Sequence, residues 1–389
     1  MKIKVLHVFK TYFPDPVGGI QEVIKQVALS TNKYNIESKI FVLSPNPEPK
    51  IIYAEEGQVI REKSWMCPAS CDLGGPSSLT TFKELIEWCD VIHYQFPWPF
   101  ADVLHLLNDI KKPSLMSYQS DIVRQRFLGI LYNPLLQKTL SSVDMVVASS
   151  PNYAETSKVL RQYVPPEKLK IIPNGIIDYK DEYVSEKSTA TILDKFNIKN
   201  SPYVLSIGAL RYYKGLHTLI DASLKINAKI IIAGSGPEEI ALKEQAANLN
   251  VTNINFVGHI TDEEKIILLR NCNVYALPSH VRSEAFGMVL VEASMFAKPM
   301  VSCEINSGMS FININKKTGL TVPPESPEDF SNAVNTLLDK DIARQYGDAA
   351  RTRYEENFSG EALGLAYSNL YKELITKQKY SNYKDTLSD

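Results

Sequence analysis

The sequence predicts an α/β protein of two domains, each built on a parallel β-sheet. Three observations support this prediction. The chain of 389 residues exceeds what one hydrophobic core usually holds. Short apolar runs alternate with helical stretches, which is typical of parallel sheets. The polar stretch 178–201, rich in Lys, Glu, Ser and Asp, interrupts this alternation and is interpreted as a linker between two cores.

Composition narrows the class of protein. Hydrophobic residues make up 44% of the chain and charged residues 22%, as in a folded protein. Lys and Arg (42) do not outnumber Asp and Glu (44), which argues against a nucleic-acid partner. Five cysteines at irregular spacing indicate free thiols in a reducing cytoplasm. No apolar run approaches the roughly 20 residues of a membrane span, so we expect any membrane contact, at the inner face, to be peripheral.

The first half alternates strand and helix regularly. Apolar and β-branched runs predict strands at 3–9, 39–43, 91–94, 114–118, 145–148 and 169–172. Helical patterns lie at 20–29, 78–88, 101–110, 121–140 and 151–162. We expect a first domain over residues 1–177.

Gly18 and Gly19 lie between the first strand and the first helix. Glycine lets the backbone approach a ligand closely, so this loop suits an anion. A tight connection without any ligand explains the two glycines equally well.

Polar residues end two of the predicted strands in the first half. Gln119 and Asp121 are candidates for contacts with a sugar or an acceptor, although Asp121 also suits the start of the next helix. His93 is more typical of a packed strand-end histidine. The helical stretch 122–140 mixes Arg124 and Arg126 with apolar residues, which indicates either a core-facing helix or a patch that rests on an anionic membrane.

The second half repeats the alternation. Strands are predicted at 203–207, 230–233, 256–260, 274–277 and 300–303. One helix is predicted to begin at 216, one to end at 270 and one to begin at 287, and three more span 327–338, 342–357 and 362–378. We expect a second domain over 202–360, a terminal helix over 361–378 and a mobile tail over 379–389.

Arg211 and Lys214 lie three residues apart in the loop after the strand 203–207. Both can point at one anion, and a guanidinium with an ammonium suits a diphosphate. The later sequence Gly234-Ser235-Gly236-Pro237 lacks the third glycine of a dinucleotide-binding loop, because Glu239 stands there.

Two carboxylates, Glu284 and Glu292, lie eight residues apart in SEAFGMVLVEA. A helix that begins near Gly287 places Glu284 in the loop before it and Glu292 about one turn inside it. The amides of Phe286, Gly287 and Met288 then form an anion site at the helix start. Glu284 would bind hydroxyls of a sugar and Glu292 those of a ribose; alternatively, both acids are solvated.

These motifs together resemble glycosyltransferase family 4, a retaining family with the GT-B fold. The resemblance rests on the spacing of Glu284 and Glu292, on IPNGI, and on Gly208, Leu210, Lys214 and Gly215 with Arg211. It implies two Rossmann-like domains that face each other across a cleft, with the last helix returning to the first domain. The segments KTYFPDPVGGI and CEINSGMSF look most like O-antigen and polysaccharide mannosyltransferases.

The resemblance also implies roles for individual residues. Gly18 and Gly19 would face the diphosphate and the acceptor, and the main chain of Gly258, His259 and Ile260 would face the nucleoside base. The family commonly has a histidine where this chain has Gln119. Glutamine binds a hydroxyl but does not shuttle protons, so acid-base chemistry at this position is in doubt.

The function that we expect is transfer of a sugar from a nucleotide diphosphate, best matched by GDP-mannose, to a hydroxyl of a glycan or lipid-linked acceptor. Arg211, Lys214 and the helix start would neutralise the leaving diphosphate without a metal, and Glu284 would orient the donor sugar. Alternatives are a transferase for a UDP- or dTDP-sugar, a nucleotide-sugar epimerase, and a silent nucleotide-sugar-binding protein.

Overall fold

The chain divides into two units. In the computed structural model the described residues are 2–15, 18–68, 71–108, 110–122, 126–199 and 201–388, without the side chains of 126–131 and 381–388. Contacts between residues in space group Met1–Ile177 and Gly360–Asp389 into the first unit and Asp178–Ser359 into the second.

The first unit contains nine strands within its described residues. They are β1 (Ile3–Val8), β2 (Ile36–Ser44), β3 (Ile51–Ala54), β4 (Gly57–Met66), β5 (Leu73–Gly74), β6 (Val91–Phe96), β7 (Ser114–Tyr118), β8 (Met145–Ala148) and β9 (Leu169–Ile171). Its helices are α1 (Gly19–Asn32), α2 (Pro76–Trp88), α3 (Pro99–Leu107), α4 (Arg126–Ser142), α5 (Pro151–Thr156), α6 (Lys158–Tyr163) and, from the end of the chain, α15 (Gly360–Ser388).

The sheet of the first unit is wound in two directions from β1. It runs through β2, β4 and β3 on one side and through β6, β7, β8 and β9 on the other. All neighbours on this path are parallel except β3 and β4. Every residue of β6 and β7 is buried, as expected of central strands covered on both faces.

The strands β3, β4 and β5 were not predicted. β3 and β5 each pair antiparallel with β4 at the edge of the sheet. β3 alternates exposed and half-buried residues, and β4 carries Arg61 and Glu62 inside, so neither resembles an apolar run. Arg61 is buried because it donates to the carbonyls of Asn46, Glu48 and Pro49.

The second unit contains six parallel strands within its described residues. They are β10 (Tyr203–Ile207), β11 (Lys229–Ala233), β12 (Ile254–Gly258), β13 (Val274–Leu277), β14 (Met300–Cys303) and β15 (Gly319–Val322), in the order β12-β11-β10-β13-β14-β15. The helices are α7 (Glu186–Lys195), α8 (Leu216–Ala222), α9 (Glu239–Asn248), α10 (Asp262–Asn271), α11 (Met288–Met295), α12 (Met309–Ile312), α13 (Pro327–Leu337) and α14 (Lys340–Asn357). This is the order of a doubly wound nucleotide-binding sheet, and it confirms the predicted α/β class.

Two predicted boundaries need correction. The stretch 178–201, which was interpreted as a linker, belongs to the second unit and contains α7, whose Lys195 pairs with Glu264 at 2.6 Å. Helix α7 buries only Ile192 of its ten residues, so its sequence is mostly polar and resembles that of a linker. The last helix, which was predicted to end at residue 378, continues as far as Ser388, and the mobility predicted for 379–389 stays a prediction.

Helix α15 packs on the first unit, as predicted for the last helix. It lies against α1 so closely that a Cβ at Gly364 would come within 2.1 Å of the carbonyl oxygen of Ser30. Tyr367 and Tyr371 on α15 are fully buried and bond to Ser117 and His93. The C-terminal helix is therefore part of the first unit's core.

None of the helices within the described residues is long and apolar enough to cross a membrane. The basic patch predicted on the stretch 122–140 depends on Arg124 and on the side chain of Arg126, which lie outside the described residues.

We predict that Gly364→Ala destabilises the first unit by about 1–3 kcal/mol, because the added methyl group overlaps the backbone of α1. Helix propensity alone would favour alanine by about 1 kcal/mol. Scanning calorimetry would detect a lower Tm for the first unit's transition. Gly19→Ala is the matched control, since nothing lies within 4 Å of its new Cβ. A Tm for Gly364→Ala at or above that of the wild type would contradict the prediction.

Candidate functional site

The sheet of the second unit reverses its winding between β10 and β13, which are parallel neighbours. Ligands of doubly wound sheets bind beyond the carboxyl ends of the strands at such a reversal. The loop that follows β10 contains Lys214, and the loop that follows β13 contains Glu284. The topology therefore brings together two predicted site residues that lie 70 positions apart in sequence.

Lys214 and Glu284 form a buried ion pair. The Lys214 Nζ lies 2.5 Å from Glu284 Oε2, and each residue is only 9% exposed. The Ser279 hydroxyl donates to the same carboxylate oxygen at 3.1 Å. Burial opposes the charge on Lys214, but attraction to Glu284, Tyr213 and Glu292 together outweighs it, so the pKa of Lys214 is raised above its usual value. The alternative in which Glu284 is an exposed loop acid is therefore wrong.

Helix α11 begins where the sequence predicted it. Gly287 is its N-cap and has a φ of 92°, a left-handed conformation that glycine adopts without strain. Phe286 is buried before it, and Met288 is the first helical residue. The helix thus begins shortly after Glu284, and the anion site at its first amides stays a prediction.

Glu292 lies inside α11, half-buried rather than solvated. Its Oε1 is 2.9 Å from the Lys265 ammonium and accepts a hydrogen bond of 2.9 Å from the Tyr179 hydroxyl. Neither partner was predicted from the sequence. Lys265 lies on the charged helix α10, and Tyr179 lies in the stretch that was interpreted as a linker.

Among the described residues, Arg211 forms no ion pair with Glu284 or Glu292. Its side chain is exposed, directly before the short turn Tyr212–Lys214. The ion pairs of the described residues connect Lys214 to Glu284, and none of them includes Arg211. The structure therefore brings Lys214 to the acids and leaves Arg211 at the surface of the same loop.

The loop after β11, which contains Gly234 and Gly236, packs against the loop after β10. Leu210 donates its backbone N–H to Ser235 O at 3.0 Å. A Cβ at Gly234 or Gly236 would come within 2.1 Å or 2.4 Å of the carbonyl oxygens of Gly208 and Leu210. These glycines are required because two backbones touch there.

The segment proposed to face the nucleoside base lies at the same edge of the sheet. Gly258 ends β12, and its carbonyl accepts the N–H of Gly234 at 2.7 Å. Ile260 is half-buried and His259 is exposed, and the contact of their main chain with a base stays a prediction.

In the first unit, the glycine loop leads directly into α1. Gly18 is the N-cap, and its N–H donates to Gln21 Oε1 at 2.9 Å. Nothing lies within 4 Å of the Cβ position of Gly19, which leaves room for a ligand. Positions 16 and 17 lie outside the described residues.

Gln119 is buried in a polar network. Its Nε2 donates to Gln95 Oε1 at 3.0 Å, and its Oε1 accepts from Asn174 Nδ2 at 3.0 Å. Gln95 contacts His93, whose Nε2 is 2.7 Å from the Ser117 hydroxyl. Burial holds the pKa of His93 well below its usual value, so this histidine is a neutral packed residue, as its position at a strand end suggested.

Asp121 is held by neighbouring hydroxyl groups. Tyr118 donates to its Oδ1 at 2.9 Å and Ser157 at 2.7 Å. The carboxylate thereby ties the end of β7 to the corner between α5 and α6. These contacts differ from the helix start that the sequence offered as one alternative for Asp121, and the other alternative, a contact with a sugar or an acceptor, stays a prediction.

Comparison with known proteins identifies the family. The family model described as Glycosyltransferase Family 4 matches residues 17–178, and that described as Glycosyl transferases group 1 matches residues 188–353. The O-antigen chain mannosyltransferase C of Escherichia coli is 38% identical over 96% of this chain and 99% of its own length. The D-rhamnosyltransferase WbpZ of Pseudomonas aeruginosa is 42% identical over 92% of each. The chain belongs to glycosyltransferase family 4.

Solved structures confirm the GT-B fold of this glycosyltransferase. The sucrose-phosphate synthase of Thermosynechococcus elongatus superposes with a TM-score of 0.78 at 21% identity, covering 97% of this chain and all of that chain. Anabaena HepE, in complex with UDP and glucose, has a TM-score of 0.77 at 16% identity, with 95% and 100% covered.

We predict that Lys214→Met destabilises the second unit of the glycosyltransferase by about 3–5 kcal/mol, because Glu284 is left buried without its cation. Lys225→Met is the matched control. It removes the exposed pair with Glu328 and is expected to cost less than about 1 kcal/mol. Chemical denaturation would measure both. Equal losses in the two variants would contradict the prediction, and Lys214→Met with Glu284→Gln should recover most of the stability.

Proposed function

We propose that this glycosyltransferase transfers mannose from GDP-mannose to a hydroxyl group of a surface polysaccharide such as O-antigen, with retention of anomeric configuration. Its similarity to a mannosyltransferase and a D-rhamnosyltransferase along more than nine-tenths of the chain supports this choice. D-Rhamnose is 6-deoxy-D-mannose, so the two named sugars share their ring configuration. The acceptor would be a glycan, carried on a polyprenyl diphosphate that an enzyme at the inner face of the membrane reaches by peripheral contact.

The observation that carries the proposal is the buried Lys214–Glu284 pair beside the start of α11. The diphosphate gains negative charge as the sugar departs. The Lys214 ammonium and the amides of Phe286, Gly287 and Met288 are fixed positive groups that stabilise this charge. Arg211, exposed in the same loop, would complete the clamp, so that transfer requires no metal ion.

Glu284 would orient the donor sugar rather than attack it. The contacts described for its carboxylate, from Lys214 and Ser279, both use Oε2. Oε1 is then the acceptor for a sugar hydroxyl. Because the carboxylate is neutralised by Lys214, it is a weak nucleophile, and we favour attack by the acceptor on the face that the diphosphate leaves. The departing phosphate takes the proton of the acceptor hydroxyl.

The remaining donor contacts follow the sheet edge. Glu292, held in place by Lys265 and Tyr179, would accept hydrogen bonds from the ribose hydroxyls. The main chain of Gly258 and Ile260, with that of His259, would face the base. Gly18 and Gly19 would contact the diphosphate, and Gln119 and Asp121 the acceptor or the sugar.

A second candidate function is transfer of D-rhamnose, which the similarity to WbpZ favours. The two donors differ only in the hydroxyl group at C6. A site that hydrogen-bonds this hydroxyl rejects the deoxy sugar strongly, whereas an apolar site discriminates weakly.

We predict that GDP-mannose supports transfer and that UDP- and dTDP-sugars do not. Product analysis by mass spectrometry, with GDP-6-deoxy-D-mannose as the competing donor, would measure kcat/KM for each. Reactions in EDTA should proceed at an unchanged rate. A preference for a UDP-sugar would overturn the donor assignment, and activity that returns only with Mg²⁺ would overturn the metal-free clamp. Conversion of the donor without any acceptor would indicate an epimerase instead.

We predict that Glu284→Gln lowers kcat by about 10²–10³-fold, because the amide orients the sugar hydroxyl poorly and no longer pairs with Lys214. Glu328→Gln, on an exposed glutamate, is the matched control. Binding of GDP by calorimetry should remain measurable in both variants, which separates a catalytic loss from misfolding. Transfer by Glu284→Gln at the wild-type rate would refute the assignment.

A further inference from the structure

We propose that the second unit binds a divalent transition-metal ion, of the Zn²⁺ type, through His217, His280 and Glu325. One ligand atom of each residue lies within 4.8 Å of the ligand atoms of the other two. Two imidazoles and one carboxylate are a combination that holds zinc in proteins. This site is separate from the Lys214–Glu284 pair and goes beyond the proposed sugar transfer.

The three residues converge from distant parts of the sequence. His217 is the second residue of α8, His280 lies in the loop after β13, and Glu325 lies between β15 and α13. All three segments follow strands of the same parallel sheet, so they meet at its carboxyl edge. The cluster is therefore a product of the fold and not of local sequence spacing.

His280 supplies a second, independent observation. Both nitrogens of its ring are buried and neither has a hydrogen-bond partner. Buried polar atoms without a partner are rare in native proteins, and each needs an explanation. A metal ion bound to one nitrogen gives that atom a partner.

Neighbouring residues hold the His280 ring in place. The ring meets His217 edge-on at a centroid distance of 5.0 Å and Tyr212 at 4.7 Å. Gly215 has no side chain, and a Cβ there would come within 3.1 Å of His280 Nδ1. The ring is thus held by aromatic packing, and its Nδ1 lies close to Gly215.

Binding requires only a small adjustment of side chains. Ligand atoms of a tetrahedral zinc site lie about 3.3 Å apart, given bonds of about 2.0 Å. The cluster must therefore contract by up to about 1.5 Å. Glu325 is exposed and His217 half-buried, so rotation of these two side chains supplies the movement. Three protein ligands leave a fourth position for water.

The donor set selects the class of metal. Imidazole favours Zn²⁺, Co²⁺, Ni²⁺ and Cu²⁺, whereas Mg²⁺ and Ca²⁺ prefer oxygen ligands. The bound ion would join the segments that follow β10, β13 and β15. It would thereby stabilise the second unit without taking part in the proposed transfer.

The test is metal binding to the full chain in the absence of any sugar nucleotide, so that its result does not depend on the proposed transfer. The protein is stripped with EDTA, desalted and titrated with Zn²⁺, Co²⁺ and Mg²⁺ by calorimetry. Exposed Cys67 and half-buried Cys71 are first replaced by serine, because thiols bind Zn²⁺. We expect one Zn²⁺ per chain, a higher Tm with Zn²⁺ but not with Mg²⁺, and visible absorption bands of nitrogen-bound Co²⁺.

Variants locate the site. His217→Ala and His280→Ala should each weaken Zn²⁺ binding by about 100-fold or more, and Glu325→Gln should weaken it to a smaller extent. His259→Ala and Glu328→Gln are matched controls that remove an exposed histidine and an exposed glutamate outside the cluster. The proposal is overturned if Zn²⁺ binds no more tightly than Mg²⁺, or if either His217→Ala or His280→Ala binds Zn²⁺ like the controls.

Discussion

The ion pair between Lys214 and Glu284 is the contact on which the functional end of the second unit depends. It links the loop after β10 to the loop after β13, the two strands at which the sheet reverses its winding. A buried carboxylate is tolerated only beside a cation or several donors, and Lys214 and Ser279 provide both. The position of Glu284 is thus fixed before any ligand arrives, which is the condition for electrostatic catalysis.

Much of the fold could be predicted because parallel strands have a distinctive sequence. The runs 203–207, 274–277 and 300–303 are contiguous and apolar, and the structure has strands over the same residues. The edge strand β3 escaped prediction because it alternates in exposure, and β4 because it buries the charged residues Arg61 and Glu62. Helix α7 escaped for a similar reason, since it buries so little of its surface.

The candidate site was predictable only in part. The position of Lys214 after a strand end identified it, because the carboxyl edge of a parallel sheet collects ligand-binding groups. The spacing of Glu284 and Glu292 around a helix start identified the two acids. Pairing between them was not predictable, since the partners are far apart in sequence. Asn174 shows the same limit. It lies in the IPNGI segment that contributed to the family resemblance, and only the fold reveals its hydrogen bond to Gln119.

The division of the chain has a consequence for its synthesis on the ribosome. Residues 178–359 form one unit, whereas the first unit is completed by α15, which is made last. Tyr371 on α15 covers His93 and reaches its Nδ1 at 2.9 Å. The inserted unit therefore has all of its residues available before the earlier one does. Until α15 is made, the nascent first unit leaves uncovered the part of β6 and β7 that Tyr367 and Tyr371 will bury.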